Sequence, residues 1–248
     1  MKCQRSRSKI GAGGLLVLAL ICGNAFGLTD VSSTVGSGIK KGDNAEVVEF
    51  EATTDLYMEG RKLVESGNRD LGMSILRKAA EREHPLAMHD LGLLLRRSEN
   101  ARDVREAAVW YRRAAEWKGW GFPGSQNNLG DMYEEGDGIG KSTGDAIYWY
   151  TRSALQGEPT AYLSLGTCFA DGVGVTKDLI EAHFWLSLAV ERLTGDGNRS
   201  IAQSKIEMVE RSMSLEQIAM AKRKAGEYKP YFQTKLIIGD PRPNRIEK

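Results

Sequence analysis

The amino-acid sequence predicts an all-α fold: an α-solenoid of about four helix-pair repeats with a C-terminal capping helix. Three observations support this prediction. A Leu-Gly pair recurs at intervals of 36 to 38 residues, a tryptophan-containing pair recurs downstream at 36 to 39, and glycine-rich loops lie between the two blocks. One helix pair of this size cannot bury its apolar face alone, so the units are expected to stack on one another.

The first recurring block predicts the first helix of each unit. It contains Leu91-Gly92, Leu129-Gly130 and Leu165-Gly166. A small residue precedes each glycine by five positions and a large residue follows each leucine by four, which is helical spacing. Glycine inside a helix costs about 1 kcal/mol relative to alanine. Its recurrence here therefore indicates a partner helix that crosses too closely to admit a side chain.

The second recurring block predicts the partner helix. It contains Trp110-Tyr111, Trp149-Tyr150 and Trp185-Leu186, each followed by small residues at helical spacing. Because these tryptophans follow the repeat period, we expect them in the core rather than on a ligand platform. Between the two blocks lie the loops Gly136–Gly140 and Asp171–Gly174, where glycine ends a helix by adopting positive φ at little cost.

An earlier and more degenerate unit fits the same frame, with helices at Leu56–Val64 and Arg69–Arg82. The repeats then occupy residues 54–191. Residues 192–228 are expected to form the C-terminal cap, whose last helix begins at Ser214 with Gln217 in capping-box spacing. Residues 28–53 are interpreted as a flexible lead. Residues 229–248 are interpreted as a tail, either disordered or folded back as a docking strand.

The N-terminus has the pattern of a secretory signal peptide over residues 1–27. Four basic residues without an acid precede the apolar run Leu15–Cys22, and Ala25-Phe26-Gly27 provides a cleavage site. An uncleaved anchor is the alternative, although the run is short of the roughly 20 residues that a membrane span requires. We therefore expect a periplasmic or secreted protein.

The charge balance after such cleavage argues against nucleic acid as a partner. Removing four of the 34 basic residues leaves 30 against 33 acidic residues, a net charge of −3. We likewise expect no membrane insertion once the signal is cleaved. Cys168 is the one cysteine outside the signal, so no internal disulfide can form. Its expected role is a small buried apolar group, with a reactive thiol as the alternative.

The recurring Leu-Gly-x-x-Tyr helix, Gly-x-Gly loop and Ala-x-x-Trp-Tyr helix resemble the Sel-one-like repeat (SLR) family, which is related to tetratricopeptide repeats. The clearest copy combines Asn128–Tyr133 with Ala146–Tyr150. The resemblance implies a right-handed solenoid that binds other proteins without a cofactor. The second unit departs from the pattern. It has Arg97–Asn100 in place of the glycine loop and gains the insertion Trp120–Gly124 before the next unit.

No enzyme motif is present, so we predict a protein that is not an enzyme and uses no cofactor. A zinc site at His84 and His89 would need further ligands. The acids Asp131, Glu134, Glu135 and Asp137 lie close together in the sequence. They are interpreted as a solvated helix face, with a calcium site as the alternative.

The resemblance also implies a binding surface. In tetratricopeptide-type solenoids, the first helices line a concave face, and residues three before, one after and four after the glycine point into it. The insertion adds two aromatic residues that serve either as partner anchors or as local packing. The implied partner-binding residues are His89, Leu93, Arg96, Asn127, Asp131, Glu134, Leu163, Thr167 and Ala170, together with Trp120 and Phe122 of the insertion.

This face would be basic at one end and acidic in the middle, which suits an extended peptide or a loop with a matching charge pattern. The expected function is a scaffold or adaptor in the cell envelope that binds a partner protein or peptide. A secreted host-interaction or virulence factor is the alternative. An envelope hydrolase is a third, less favoured hypothesis, because the sequence lacks a convergent nucleophile and base.

Overall fold

The computed structural model describes residues 43–230, and within this range it contains ten helices and no strand. Each repeat supplies a first, or A, helix and a second, or B, helix. The A helices are α1 (Asp43–Glu65), α3 (Pro85–Arg96), α5 (Pro123–Glu135) and α7 (Pro159–Asp171), and the B helices are α2 (Arg69–Glu81), α4 (Ala101–Glu116), α6 (Thr143–Leu155) and α8 (Leu179–Arg192). Two further helices, α9 (Asp196–Glu210) and α10 (Leu215–Glu227), follow the last repeat.

The two kinds of helix begin with different residues. The A helices of repeats two to four all begin with proline, which is favoured at the first helical position because its missing N–H would have no partner there. The B helices of the same repeats follow a polar residue whose side chain accepts a hydrogen bond from the first turn. These residues are Asn100, Ser142 and Asp178.

The close crossing predicted within each repeat is confirmed. A β-carbon added at Gly130 would lie 2.5 Å from the ring of Tyr150 in the partner helix. The added carbon would lie 2.7 Å from the ring of Tyr111 at Gly92, and 2.6 Å from the side chain of Leu186 at Gly166. At Gly60 of the degenerate unit it would meet Leu76 at 2.8 Å. All four A helices therefore cross their B helices at a glycine, which fixes the register of each pair.

The glycine loops also end the A helices as predicted. Gly136 and Gly172 follow α5 and α7 with φ of 77° and 76°, and each donates its backbone N–H to a carbonyl four residues earlier. This left-handed conformation is unfavourable for residues with a β-carbon. The core tryptophans follow the prediction in two repeats, since Trp110 and Trp149 are 6% and 5% exposed, whereas Trp185 is half-buried.

The cap is attached to the last repeat by polar contacts as well as by apolar packing. His183 of α8 is fully buried, and its Nε2 lies 2.8 Å from Oε1 of Glu210 in α9. Lys222 of α10 approaches the same carboxylate at 3.3 Å. Lys224 of α10 pairs with Glu181 of α8. Glu210 thus joins three consecutive helices, and the His183 hydrogen bond is the main cause that lowers its pKa below the ordinary value.

The predicted capping box at the start of α10 is confirmed, and it gives a test of the cap. Ser214 Oγ accepts from the Gln217 backbone N–H, and the Gln217 side chain accepts from the Ser214 backbone N–H. We expect Ser214→Ala to lower the free energy of unfolding by about 1 kcal/mol, measured by urea denaturation. Ser212→Ala, in the exposed turn just before the box, is the control and should change little.

The N-terminal boundary of the repeats differs from the prediction. The lead was expected to be flexible through residue 53, but α1 begins at Asp43 and is helical through that segment. The expected signal peptide, residues 1–27, and the tail beyond residue 230 lie outside the described residues. Within residues 43–230, no helix combines the length and the apolar character needed to cross a membrane.

Candidate partner-binding site

The predicted binding residues of α3, α5 and α7 form a surface that we name the A-helix face. It comprises the positions three before, one after and four after the crossing glycine. Many side chains of this surface form hydrogen bonds, ion pairs or packing contacts with the neighbouring repeat. The A-helix face consists of His89, Leu93, Arg96, Asn127, Asp131, Glu134, Leu163, Thr167 and Ala170.

His89 connects repeats two and three. Its Nδ1 lies 2.9 Å from Ser125 Oγ of α5, within hydrogen-bonding distance. Its ring packs at 4.9 Å against Phe122 and at 5.8 Å against Tyr111, measured between ring centroids. Burial lowers the pKa of His89 to about 4, so the ring is neutral at neutral pH. His89 therefore contributes packing between repeats and no positive charge to the surface.

Arg96, at the end of α3, is surrounded by carboxylates of the next repeat. Its guanidinium lies 2.6 Å from Glu135, 3.0 Å from Asp137 and 3.8 Å from Asp131. Only 21% of the Arg96 side chain is exposed. In the repeat that lacks a glycine loop, the A helix thus ends in an arginine that binds the acids of the next repeat.

The carboxylates of α5 are also bound from within their own repeat. Tyr150 Oη lies 2.8 Å from carboxylate oxygens of both Asp131 and Glu134. Burial and these two carboxylates raise the pKa of Tyr150, so the phenol keeps the proton that it donates. Burial also raises the pKa of Asp131 to about 6, although the Tyr150 hydrogen bond and the Arg96 charge oppose this change.

Asn127 extends the polar network to repeat four. It is 5% exposed, its Nδ2 donates to Asp131 at 3.4 Å, and its Oδ1 accepts from Ser164 of α7 at 3.3 Å. Asn127 therefore has a structural role between repeats three and four. A partner would reach the carboxylates beside it rather than its own amide.

Two sequence-based interpretations of charge need correction. The acids of α5 are not a simply solvated face, because Arg96 and Tyr150 bind three of them, Asp131, Glu134 and Glu135. The expected basic end is also wrong, since His89 is neutral and Arg96 is directed at the acids. With Asp137, three carboxylates pair with one guanidinium while Glu134 binds Tyr150, so the centre of the A-helix face carries excess negative charge. Glu135 is the most exposed carboxylate that pairs with Arg96, at 62%.

The remaining predicted residues of this face are apolar or small. Leu93 is half-buried against the core of the first two and a half repeats, and Leu163 and Ala170 are half-buried against the core of the later repeats and cap. Thr167, one position after the crossing glycine of α7, is half-buried. A negatively charged centre is therefore flanked by partly exposed aliphatic side chains on either side.

The two insertion aromatics differ in their placement. Phe122 directly precedes α5 and packs against His89, which supports the local packing role for this residue. Trp120 is half-buried, and its carbonyl accepts from Gln126, from Arg152 at 3.3 Å and from Gln156 at 3.2 Å. The insertion is thus held in place by polar side chains of α5 and α6. A role of Trp120 as a partner anchor stays a prediction.

The residues considered above for a zinc site and for thiol chemistry have structural roles in the solenoid. His84 caps α3 by accepting from the Ala87 N–H and stacks on Tyr57 at 4.7 Å, whereas His89 faces the next repeat. Among residues 43–230, no group of three or more histidine, cysteine or acidic residues is placed to hold a metal ion. Cys168 is 1% exposed, and burial raises the pKa of its thiol to about 12, as expected for a buried apolar role.

Removing the cation of this network gives a direct test of its strength. We expect Arg96→Gln to lower the free energy of unfolding by about 2 kcal/mol at pH 7, because it leaves partly buried carboxylates without their counter-charge. The loss should shrink near pH 4, where Asp131 is protonated in the folded state. Arg105→Gln, on the exposed face of α4, is the control. An equal loss at both pH values would contradict this assignment.

Comparisons with known proteins agree with the repeat frame. The Sel1 repeat profile matches residues 52–84, 85–116, 123–158 and 159–192. The ERAD-associated E3 ubiquitin-protein ligase component HRD3B of Arabidopsis thaliana is 29% identical over 119 residues, covering 47% of this chain and 18% of that protein. This chain therefore spans less than a fifth of that curated relative.

Two solved structures have the same fold. A protective antigen present in uropathogenic Escherichia coli strains, which displays an SLR fold, aligns with a TM-score of 0.64 and 22% identity, covering 83% of this chain and 44% of that chain. A Sel1 repeat protein from Oxalobacter formigenes aligns with a TM-score of 0.54 and 26% identity, covering 70% of each chain. Four matched repeats, the all-α solenoid and these neighbours together show that the chain belongs to the Sel1 repeat family, whose members generally act as protein-interaction scaffolds and are typically non-catalytic.

Proposed function

We propose that this protein is an adaptor in the cell envelope whose A-helix face binds a basic, extended segment or loop of a partner protein. The observation that carries the proposal is the excess of carboxylates around Arg96. Asp131, Glu135 and Asp137 lie within 3.8 Å of a single guanidinium at the centre of this face, and Glu134 binds Tyr150 beside them. A lysine or arginine of the partner would supply the missing positive charge.

The network also supports binding by a preformed surface. Asn127, Tyr150 and Arg96 hold the carboxylates in place through contacts from two repeats. A surface that is ordered before binding loses less conformational entropy when the partner arrives. The half-buried Leu93 and Leu163 on either side can accept apolar side chains of the same extended segment.

The location in the envelope is supported by the signal-peptide pattern of residues 1–27. One observation favours the second candidate, a secreted host-interaction factor: the E. coli protein of similar fold is described as a protective antigen of uropathogenic strains. Fractionation separates the two. Cell-associated protein released with the periplasm supports the adaptor, and protein recovered from the culture fluid supports the secreted factor.

The binding face can be mapped with a photoreactive amino acid placed at single positions of the full chain in cells. We expect covalent adducts with a partner from position 167 on the A-helix face. We expect none from position 109, where Val109 is 56% exposed on the B helix α4. Adducts from position 109 alone would refute the assignment of the face. Glu134→Gln/Glu135→Gln should reduce the adducts from position 167 at least tenfold.

A further inference from the structure

The first cap helix, α9, follows the last repeat, and it packs as an A helix would. It lies against α8, the B helix of repeat four, and it also contacts the A helix α7. Lys205 Nζ lies 3.7 Å from Asp171 at the end of α7, and Glu210 reaches His183 of α8 at 2.8 Å. Within the repeats, each A helix from α3 onwards likewise packs against the B helix before it. The helix α9 therefore occupies the place of a fifth A helix.

The positions of the buried residues in α9 agree with this placement. They are Ala202, Ile206 and Val209. Each lies 41 positions after a residue of α7 that is buried in the same apolar core, and these residues are Ala161, Leu165 and Cys168. In this alignment Glu207, which is exposed, takes the place of the crossing glycine Gly166. In the described part of the chain, α9 therefore exposes the side that a B helix covers in the repeats.

The same alignment extends the A-helix face onto α9. The positions three before, one after and four after Gly166 correspond to Ser204, Met208 and Arg211, all of which are exposed. Met208 is 64% exposed, and Ile201, two turns earlier on the same side of the helix, is 49% exposed. We name Ile201, Ser204, Met208 and Arg211 the α9 patch. The face thus continues from the carboxylates of α5, past the half-buried residues of α7, to apolar side chains beside a cation.

We propose that the α9 patch is the far end of the partner-binding face, and that one extended segment of the partner protein spans α5, α7 and α9. This inference rests on the function proposed above. The segment carries a lysine or arginine at the carboxylates of α5, a large apolar side chain against Ile201 and Met208, and an acid near Arg211. Packed helices lie about 10 Å apart, so α5 and α9 are separated by roughly 20 Å. An extended chain covers this distance in about six residues.

Photo-crosslinking of the full chain in cells tests the continuity of the face. With a photoreactive amino acid at position 167 or 208, we expect adducts in one segment of the same partner, about three residues apart, located by mass spectrometry. The control is position 203, where the exposed Gln203 matches the buried Tyr162 of α7, and we expect no adduct there. Adducts from only one of positions 167 and 208, from neither, in different segments, or between two copies of this chain would overturn the inference. The result at position 167 alone decides the function proposed above.

A second measurement uses a synthetic peptide with the sequence of the segment that the adducts identify. We expect Met208→Asp to weaken binding of this peptide at least tenfold in isothermal titration calorimetry, because it places a charge where an apolar side chain binds. Gln203→Asp introduces the same charge on another exposed side of α9 and should bind as the wild type does. Both substituted positions are exposed, so the melting temperature should not change. Equal affinities of Met208→Asp and the wild type would overturn the inference.

Discussion

The variant Gly130→Val should unfold at a temperature roughly 6–12 °C lower than the wild type, because the free energy of unfolding falls by about 3 kcal/mol. The β-carbon alone would lie 2.5 Å from the ring of Tyr150. That ring cannot move aside without cost, since it is 1% exposed and its hydroxyl binds Asp131 and Glu134. Differential scanning calorimetry at neutral pH measures the change.

The matched control is Gly144→Ala, also within a helix of repeat three. A β-carbon at Gly144 has no neighbouring atom within 4 Å. Alanine restricts the unfolded chain and favours the helix, so this variant should gain about 0.5 kcal/mol. Equal melting temperatures for Gly130→Val and the wild type would show that α5 and α6 do not cross at this glycine.

Acid should destabilise the protein through the buried His84 and the half-buried His89. Burial lowers the pKa of His84 and of His89 to about 4, against an ordinary value of 6.5. Between these values the unfolded chain binds a proton that the folded chain does not. The stabilising contribution is therefore complete above pH 6.5 and is lost as the pH falls towards 4, amounting to about 3 kcal/mol for each histidine.

Urea denaturation of the wild type and of His84→Asn/His89→Gln between pH 7 and pH 4 measures this loss. Asparagine keeps a cap for α3. The double variant should lose several kcal/mol less than the wild type over this range. Asp131 acts in the opposite direction, because its pKa of about 6 is raised in the folded state and its protonation favours folding. Asp131→Asn should therefore steepen the acid loss, and parallel curves for all three proteins would contradict these assignments.

The fold could be predicted from the sequence because its strongest determinants are local and periodic. The glycine of each Leu-Gly pair lies where two helices cross closely. Because this glycine recurs at a fixed spacing, the crossing can be recognised from the sequence. Pro85, Pro123 and Pro159 carry the same kind of signal, since they begin three A helices at spacings of 38 and 36 residues. These prolines define the starts of the A helices more sharply than the leucines do.

The electrostatics of the binding face could not be predicted in the same way. From the residue types alone, Arg96 and His89 were expected to make one end of the surface basic. Their real state depends on side chains distant in the sequence: Glu135 and Asp137 pair with Arg96, and Phe122 and Tyr111 pack against the half-buried His89. Such contacts join residues 22 to 41 positions apart, and the identities of these residues do not follow the repeat period. The hydrogen bond from Tyr228 to the carbonyl of Ala154 likewise does not follow the repeat period.

The negative A-helix face is most directly tested by the affinity of the partner captured from position 167. Isothermal titration calorimetry should compare the wild-type protein with Glu134→Gln/Glu135→Gln at low and high salt. We predict that the double variant binds at least tenfold more weakly at low salt, and that its affinity changes less with added salt than that of the wild type. Identical affinities with identical salt dependence would contradict a binding face built on these carboxylates.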